Sequence, residues 1–508
     1  MREKVTVLDF GAQYSQLIAR RIRELGVYCE IKPFWENENV KKDPDVKAII
    51  LSGGPSSVFE KNSPSIPADF FFSNKPILGI CYGMQLITHI LKGEVTHSEV
   101  KEYGFSTIRL KDSILFSNLK SPLKVWMSHG DVVKKVPSSF SIIAESENKL
   151  IAAIEDSKNK IFGVQFHPEV THTENGDKIF ENFIFKIANI KPNWNMKTFI
   201  EEKTIEIKEF IKNRNVVTAV SGGVDSTVLS VFLNKILGKN LHCIFVNNGL
   251  LRKNEPEEVC LSFERLNIKV NYIDASKYFI KRLRKVTNPE KKRKIIGDAF
   301  LKIFFKEAGK IDILAQGTLY PDVIESVSVK GPSMTIKTHH NRVKGILKLI
   351  KENKILEPFK ELFKDEVRKI GTELGIPEEI IFRQPFPGPG LAVRVLGEIT
   401  EERLNILREA DSILQEEIKK EPFYRNLWQS FCVLLPVKSV GVMGDRRTYE
   451  NCIVLRIVES KDGMTANWSE IPNNVLRRIS SRIVNEVKKI NRVVYDITSK
   501  PPGTIEWE

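Results

Sequence analysis

The stretch VVTAVSGGVDSTVLS, residues 216–230, constrains the fold more strongly than any other part of this sequence. Its β-branched apolar run is typical of a buried strand, and the two glycines that follow allow a tight turn. Apolar residues at helical spacing then come after Asp225, Ser226 and Thr227. A strand that passes through a glycine turn into a helix indicates an α/β fold, and the start of such a helix can bind phosphate.

The same alternation of short apolar runs and helical patterns extends over most of the 508 residues. A chain of this length needs more than one hydrophobic core. We predict two doubly wound, mainly parallel α/β domains followed by a smaller α+β domain, with bounds at 1–190, 191–383 and 384–508. The segments KPNWN (191–195) and QPFPGPG (384–390) are the expected boundaries.

A cysteine occupies the centre of the segment Gly79-Ile80-Cys81-Tyr82-Gly83, between a predicted strand and a predicted helix. This layout is that of a nucleophile elbow in which sulfur replaces the serine oxygen. The positive end of the helix dipole favours a thiolate, and its backbone N–H groups can stabilise an oxyanion. The alternative for Cys81 alone is a small buried hydrophobe, which is a common role of free cysteine.

A second chemical motif, His167-Pro168-Glu169, follows the strand-like run IFGVQF. Residues two apart in an extended chain face the same way, so Glu169 can orient His167 as a base for the thiol. The alternative for His167 alone is a hydrogen-bonded loop histidine. The elbow and the His-x-Glu motif together favour nucleophilic catalysis by Cys81.

The glycine turn after residue 220 is the predicted phosphate site, although it lacks the lysine of the G-x-x-x-x-G-K-[ST] loop. Consecutive backbone N–H groups and the helix dipole can bind a pyrophosphate without that cation. Asp225 is a candidate ligand for Mg²⁺. The alternative is a turn whose glycines serve packing only. The predicted phosphate-binding residues are Ser221, Gly222, Gly223, Val224, Asp225, Ser226 and Thr227.

The segments LSGGP (51–55), GICYGMQ (79–85) and QFHPEV (165–170) resemble the class I glutamine amidotransferases. The resemblance implies an activity that releases ammonia from glutamine through a glutamyl thioester. It implies Cys81 as nucleophile, His167 as base and Glu169 as the residue that orients it. It also implies an oxyanion hole formed by the backbone around Gly54 and Tyr82.

SGGVDS directly after VVTAV resembles the PP-loop ATP pyrophosphatases. Members of that family cleave ATP between the α and β phosphates, which releases AMP and pyrophosphate. The resemblance therefore implies that the loop holds a departing pyrophosphate. Such chemistry activates a carbonyl oxygen as an adenylate, which ammonia can then displace.

Further segments extend the resemblance to the family of glutamine-hydrolysing GMP synthetases over nearly the whole chain. These segments are DFGAQYSQLIARRIRE (9–24), GTLYPDVIES (317–326), IKTHHN (336–341), LFKDEVRKIG (362–371), RQPFPGPGLAVRV (383–395), VGVMGDRRTYE (440–450) and ITSKPPGTIEWE (497–508). The resemblance implies ATP, glutamine and XMP as substrates, Mg²⁺ as cofactor, and a homodimer formed through the C-terminal domain. The implied XMP contacts are Arg293, Gln429, Lys500, Ile505 and Glu506.

Each implied XMP contact also has an ordinary interpretation. Arg293 and Lys500 can be surface charges, and Glu506 can belong to a frayed end. The sequence departs from the family pattern after IKTHHN, where RVKGILKLIKENKILEP (342–358) replaces a glycine-rich stretch. His339 and His340 precede this departure, and for them we favour a packing or substrate-loop role over metal binding.

The net charge of +14 bears on the choice of partners. Residues 1–190 hold 24 basic and 23 acidic side chains, so the remaining 54 basic and 41 acidic side chains carry +13. Phosphorylated small substrates, RNA or a solvated lysine surface can each explain that excess. The alternative is a PP-loop enzyme that modifies tRNA. Thiolation of tRNA needs sulfur, whereas the predicted first site releases ammonia. We therefore predict small-molecule substrates and no nucleic acid.

Compartment and membrane association follow from the cysteines and the apolar runs. The six cysteines are far apart and form no CxxC pair, which favours a reducing cytoplasm over a disulfide framework. The apolar runs are all shorter than the roughly 18 residues of a membrane span, so we predict no membrane association.

Overall fold

The computed structural model describes residues 2–12, 14–327, 349–443, 445–460, 463 and 465–508. These residues form two compact units. Unit 1 covers the described residues up to 199 together with 324–327, and unit 2 covers the other described residues. Unit 2 therefore contains most of the second and third predicted domains, and the boundary between those two domains stays a prediction.

Unit 1 contains one mixed sheet of nine strands among its described residues. The strands are β1 (Lys4–Asp9), β2 (Cys29–Pro33), β3 (Val46–Leu51), β4 (Ile77–Ile80), β5 (Glu94–Leu110), β6 (Leu123–Lys135), β7 (Ser141–Ser146), β8 (Ile151–Asp156) and β9 (Ile161–Val164). Their order is β2-β1-β3-β4-β9-β8-β7-β5-β6. Strands from β2 to β9 in this order pair in parallel, and those from β9 to β6 are antiparallel.

The parallel half of this sheet positions the candidate site residues of unit 1. Strands β4 and β9 are buried along their whole length, as expected for parallel strands covered on both faces. Because β3, β4 and β9 are parallel neighbours, their carboxyl ends lie at one edge of the sheet. The segments that follow these strands carry Gly53, Cys81 and His167, so three distant parts of the sequence meet there.

The other half of the sheet is antiparallel, whereas the sequence predicted a mainly parallel sheet. Strand β6 alternates between buried and more exposed residues over its first eight positions, which is typical of a strand with one solvated face. Such strands need no crossover helix, because hairpins connect them. The described helices of unit 1 are α1 (Ser15–Glu24), α2 (Asn37–Lys42), α3 (Tyr82–Ile90) and α4 (Gly176–Glu181), and α5 (Met196–Ile211) continues into unit 2.

Unit 2 contains two sheets among its described residues. The first is parallel throughout, in the order β12-β11-β10-β13-β14, and the second pairs β15 with β16, and β16 with both β17 and β18. The strands are β10 (Val216–Val220), β11 (Leu241–Asn247), β12 (Val270–Asp274), β13 (Ile313–Ala315), β14 (Ile355–Leu356), β15 (Gln429–Met443), β16 (Arg446–Glu459), β17 (Asn467–Trp468) and β18 (Ile490–Tyr495). A doubly wound sheet followed by an α+β segment is therefore confirmed.

One apolar core extends through unit 2 and includes Val217, Ile244, Leu414 and Ile453. This continuity explains why the two predicted C-terminal domains form one compact unit. The described α-helices of unit 2 are α6 (Val224–Leu237), α7 (Glu255–Arg265), α8 (Ser276–Leu283), α9 (Pro289–Ala308), α10 (Tyr320–Val327), α11 (Lys364–Glu373), α12 (Glu378–Ile381), α13 (Glu401–Ile418) and α14 (Asn473–Glu486), of which α10 has its last four residues in unit 1.

Candidate active sites

The turn between β4 and α3 places Cys81 in an unusual backbone conformation. Its φ is 52° and its ψ is −105°, in a region that non-glycine residues rarely adopt. The flanking glycines are required by close packing, because a Cβ on Gly83 would lie 2.5 Å from the Leu51 carbonyl oxygen. A Cβ on Gly79 would lie 2.6 Å from the carbonyl carbon of Gly83. The strand–turn–helix geometry of a nucleophile elbow is present.

The sulfur of Cys81 lies in a buried, polar environment. The residue is 6% exposed, and its backbone N–H donates to the Val164 carbonyl oxygen at 2.8 Å. The side-chain amide of Gln165 donates to the sulfur at 3.6 Å. On the other side, the sulfur is 3.7 Å from the carbonyl oxygen of Ser128.

His167 and Glu169 form a buried pair beside this cysteine. The distance from His167 Nδ1 to Glu169 Oε1 is 2.7 Å, and Glu169 is 1% exposed. Burial opposes a charged imidazole, but the Glu169 carboxylate and the Cys81 side chain outweigh it and raise the pKa of His167 well above its usual value. The hydroxyl of Thr173 donates to the His167 carbonyl oxygen at 2.7 Å, and the ring of Tyr14 meets the imidazole edge-on at 5.4 Å between centroids.

The segment after β3 forms the third side of this site. A Cβ on Gly53 would lie 3.3 Å from His167 Cε1 and 3.8 Å from Cys81 Cβ, so the Gly53 backbone, His167 and Cys81 are close together. A Cβ on Gly54 would lie 2.9 Å from the Phe10 carbonyl oxygen and 3.4 Å from the Tyr82 ring. The structure thus brings all five residues predicted for this site into one region.

In unit 2, the loop from Ser221 to Gly223 connects β10 to α6. Gly222 has a φ of +73°, and a Cβ there would lie 2.3 Å from Val259 Cγ2, so only glycine fits. The Ser226 hydroxyl accepts from the Ser221 N–H at 3.2 Å and donates to the Gly223 carbonyl oxygen at 3.1 Å. Thr227 also donates to that carbonyl oxygen, at 2.9 Å. These bonds fix the loop conformation at the N-terminus of a 14-residue helix.

Asp225 lies in the first turn of that helix and has a cationic neighbour. Burial raises the pKa of Asp225, Lys364 and Arg368 act in the opposite direction, and Asp322 adds to the rise. The Lys364 ammonium lies 3.7 Å from Asp225 Oδ2, while Oδ1 is buried and has no hydrogen-bond partner among the described residues.

Lys364 is a candidate site residue to which the sequence assigned no role. It begins α11, far along the chain from the loop, and it places a positive charge where the loop itself has no lysine. Lys364 belongs to the segment LFKDEVRKIG, which resembles the family pattern. That resemblance was the feature of the sequence that could have identified Lys364 as a candidate site residue.

The predicted XMP contacts in the C-terminal part of unit 2 are partly brought together. Arg394, which is fully buried, binds both carboxylate oxygens of Glu506 at 2.8 and 3.0 Å. The Gln429 amide donates to the same carboxylate at 3.2 Å. Ile505 packs in a small apolar cluster with Phe431 and neighbouring residues.

The two predicted cations contact main-chain oxygens of other residues in unit 2. Arg293 donates to the main-chain oxygen of Glu508, and the Lys500 ammonium donates to the Gly463 carbonyl oxygen at 2.8 Å. Residues 505–508 are therefore held by side-chain contacts, and the interpretation of Glu506 as part of a frayed end is wrong.

The two histidines and the start of the divergent stretch 342–358 cannot be placed in the described structure. His339, His340 and residues 342–348 lie outside the described residues. Within the described ranges, no three His, Cys, Asp or Glu side chains are grouped as metal ligands, and no helix is long and apolar enough to cross a membrane.

Comparison with known proteins finds two family models that match separate parts of the chain. Residues 6–187 match the family model "Glutamine amidotransferase class-I", and residues 416–507 match "GMP synthase C terminal domain". The chain is 57% identical to a GMP synthase (glutamine-hydrolyzing) of Brachyspira hyodysenteriae, over 100% of this chain and 99% of that protein.

Two further relatives carry the same name. The protein of Pelodictyon phaeoclathratiforme is 54% identical over 100% of both chains, and that of Thermosipho melanesiensis is 53% identical over 99% of both. With identity of this degree along its whole length, the chain belongs to the glutamine-hydrolysing GMP synthase family.

Proposed function

We propose that the chain aminates XMP to GMP with ATP and glutamine, and that it divides the reaction between one site in each unit. The names of the full-length relatives support the overall reaction. The observation that carries the first site is the buried His167–Glu169 pair at the same sheet edge as Cys81. Glutamine, ATP and XMP are the substrates.

In unit 1, Cys81 Sγ attacks the side-chain amide carbon of glutamine. His167 holds the proton that the thiol has given up and delivers it to the departing nitrogen, so that ammonia leaves and a glutamyl thioester remains. Water activated by His167 then hydrolyses the thioester to glutamate. The backbone N–H groups around Gly54 and Tyr82 are suited to the oxyanion that forms in both steps.

In unit 2, the N–H groups of residues 221–227 hold the β,γ-pyrophosphate of ATP at the positive end of α6. The C2 oxygen of XMP attacks the α-phosphorus, and pyrophosphate leaves. Ammonia then attacks C2, and the oxygen departs with AMP. Lys364 supplies the positive charge that other phosphate loops obtain from their own lysine.

Asp225 is the residue we propose for Mg²⁺. Its buried, unpartnered Oδ1 is a carboxylate oxygen, the ligand type that Mg²⁺ prefers. Mg²⁺ is commonly held by one or two carboxylates together with phosphate oxygens and water, so a larger cluster of protein ligands is not required. When bound, the ion would neutralise charge on the pyrophosphate.

For XMP we propose contacts with Arg293, Gln429, Lys500, Ile505 and Glu506. The link from Gln429 to Glu506 and the hold of Arg394 on the same carboxylate support a fixed acceptor for purine N–H groups. Arg293 and Lys500 have the charge that a nucleotide phosphate needs.

We also propose a homodimer formed through the second sheet of unit 2. Val440 and Tyr449 are direct partners in the β15–β16 ladder, and both are exposed, as is Val442 on the same face as Val440. A contiguous exposed apolar strip of this kind is typical of a subunit contact.

A cytoplasmic location is proposed as well, supported by six cysteines that form no disulfide.

The division of labour is tested by Cys81→Ala. We expect this variant to lose GMP synthesis with glutamine as nitrogen donor and to keep synthesis with ammonium, because ammonium bypasses the first site. GMP and AMP formation would be measured with each donor at saturating XMP, ATP and Mg²⁺. Loss of both activities in a folded variant, or retention of both, would contradict the proposal.

A further inference from the structure

A row of three buried polar groups ends at the Cys81 sulfur. The Gln85 amide nitrogen donates to the Asp131 carbonyl oxygen at 2.9 Å and to Gln165 Oε1 at 3.4 Å. The Gln165 amide nitrogen in turn donates to Cys81 Sγ at 3.6 Å. Gln85 is 4% exposed and Gln165 is 1% exposed, so water does not compete for these bonds.

The direction of this row follows from the backbone. A carbonyl oxygen can only accept, so the Asp131 oxygen requires the nitrogen end of the Gln85 amide. The second hydrogen of that nitrogen faces Gln165, whose near atom must therefore be its oxygen. The Gln165 NH₂ group is left to face the sulfur, because rotation of its amide by 180° would set its NH₂ group against that of Gln85.

The other groups around the sulfur show why this donor matters. The Ser128 carbonyl oxygen at 3.7 Å can accept from a thiol but repels a thiolate. Among the described residues, the positive end of α3 and the His167–Glu169 pair are further polar features of the site. A fixed N–H donor offsets the repulsion by the carbonyl oxygen and stabilises the charged form of the sulfur.

We propose that Gln165 is a positioning residue that stabilises the Cys81 thiolate and aims the sulfur for attack, with its own amide oriented by Gln85. This inference deepens the proposed function, because it concerns the same nucleophile. A purely structural role would be to fill space between β9 and α3. If that were its only role, an apolar side chain of similar size at position 165 would leave the ionisation of the sulfur unchanged.

The test follows alkylation of Cys81 by iodoacetamide in the full-length protein from pH 5 to pH 10, with mass spectrometry of the peptide that contains Cys81. Gln165→Leu keeps the volume and removes the donor. We expect its alkylation rate at neutral pH to fall about tenfold, the equivalent of about 1.4 kcal/mol, and to recover to the unmodified protein's rate at alkaline pH. Gln165→Glu should lower the neutral rate further, because its carboxylate repels the thiolate.

Thr88→Val is the matched control. Thr88 lies on α3, the helix that carries Gln85. The substitution removes the buried hydrogen bond from Thr88 Oγ1 to the Met84 carbonyl oxygen, which is 2.9 Å long and does not involve the sulfur. Its alkylation profile should coincide with that of the unmodified protein. An unchanged neutral rate in Gln165→Leu, or an equal fall in both variants, would overturn the proposal.

Alkylation reports the ionisation of Cys81 whether or not this cysteine attacks glutamine. Failure of the proposed function would appear separately, as glutamine-dependent synthesis that survives Cys81→Ala. The two outcomes can therefore be told apart.

Discussion

The pairing of His167 with Glu169 determines how the first site responds to pH. Because the folded-state pKa of His167 is raised, the protonated imidazole stabilises the fold. That contribution is complete below about pH 6.5, the ordinary value for histidine, and is lost as the pH rises through the raised folded-state value.

Glu169→Gln should therefore have two effects. Glutamine-dependent synthesis should fall by about 10²–10⁴-fold, as expected when a base loses the carboxylate that orients it, while ammonium-dependent synthesis stays. Thermal unfolding should show a larger loss of stability near pH 6 than at alkaline pH. Glu174→Gln, an exposed carboxylate in the same segment, is the control and should change neither quantity. A stability loss that grows with pH would contradict this explanation.

Lys364 is the residue whose role is least visible in the sequence. Lys364→Met removes the positive charge beside Asp225, and we expect XMP-dependent AMP release to fall by about 10²-fold, the usual cost of losing one charge-stabilising group. Lys364→Arg should retain more activity because it keeps the charge. The fall should be equal with glutamine and with ammonium as donor. Lys369→Met, an exposed lysine of the same helix, should behave like the unmodified protein.

Among the structural elements of unit 1, the β4–α3 turn combines a tight steric requirement with an unusual backbone conformation. Gly83 packs against β3 so closely that any side chain would meet the Leu51 carbonyl oxygen. The strained backbone of Cys81 depends on this packing, because a conformation of this kind persists only where its surroundings enforce it.

Gly83→Ala should destabilise the protein by about 1–3 kcal/mol through overpacking and should abolish glutamine-dependent synthesis. The measurement is the free energy of unfolding in denaturant together with activity on both nitrogen donors. Gly388→Ala is the matched control, since a Cβ there would have nothing within 4 Å. Equal stability of the two variants would show that β3 can move away from the turn.

The sheet of unit 1 also shows why strands can be predicted more easily than their pairing. Strands β4 and β9 are continuous apolar runs, and the sequence indicates them directly. Strands β5 to β8 alternate or mix polar with apolar residues, and their antiparallel pairing includes strands that are not neighbours in sequence, since β5 pairs with β7. Local periodicity carries little information about such partners.

For the whole molecule, the exposed apolar strip on β15 and β16 should decide the oligomeric state. The double variant Val440→Glu, Val442→Glu places charges at the proposed contact and should shift sedimentation from dimer to monomer. Ile205→Glu, at another exposed apolar position of unit 2, should leave the dimer intact. A dimer that survives the double variant would place the contact elsewhere.

The sequence by itself determined the fold class and the candidate motifs of this protein, because both depend on residues that are close together in the chain. The elbow around Cys81, the His-x-Glu motif and the SGGVDS turn each lie within a few residues, so spacing and glycine content indicate their geometry. The α/β class follows from the same short segments, since strand and helix periodicities are properties of neighbouring residues.

Contacts between distant segments were decided only by the tertiary structure. Lys364 reaches Asp225, Gln165 reaches Cys81, and Arg394 holds Glu506, yet no local pattern connects the members of any pair. Unit 2 likewise combines two predicted domains, because one apolar core extends through both. Such contacts arise from the packing of whole elements around that core, which brings together side chains that are far apart in the chain.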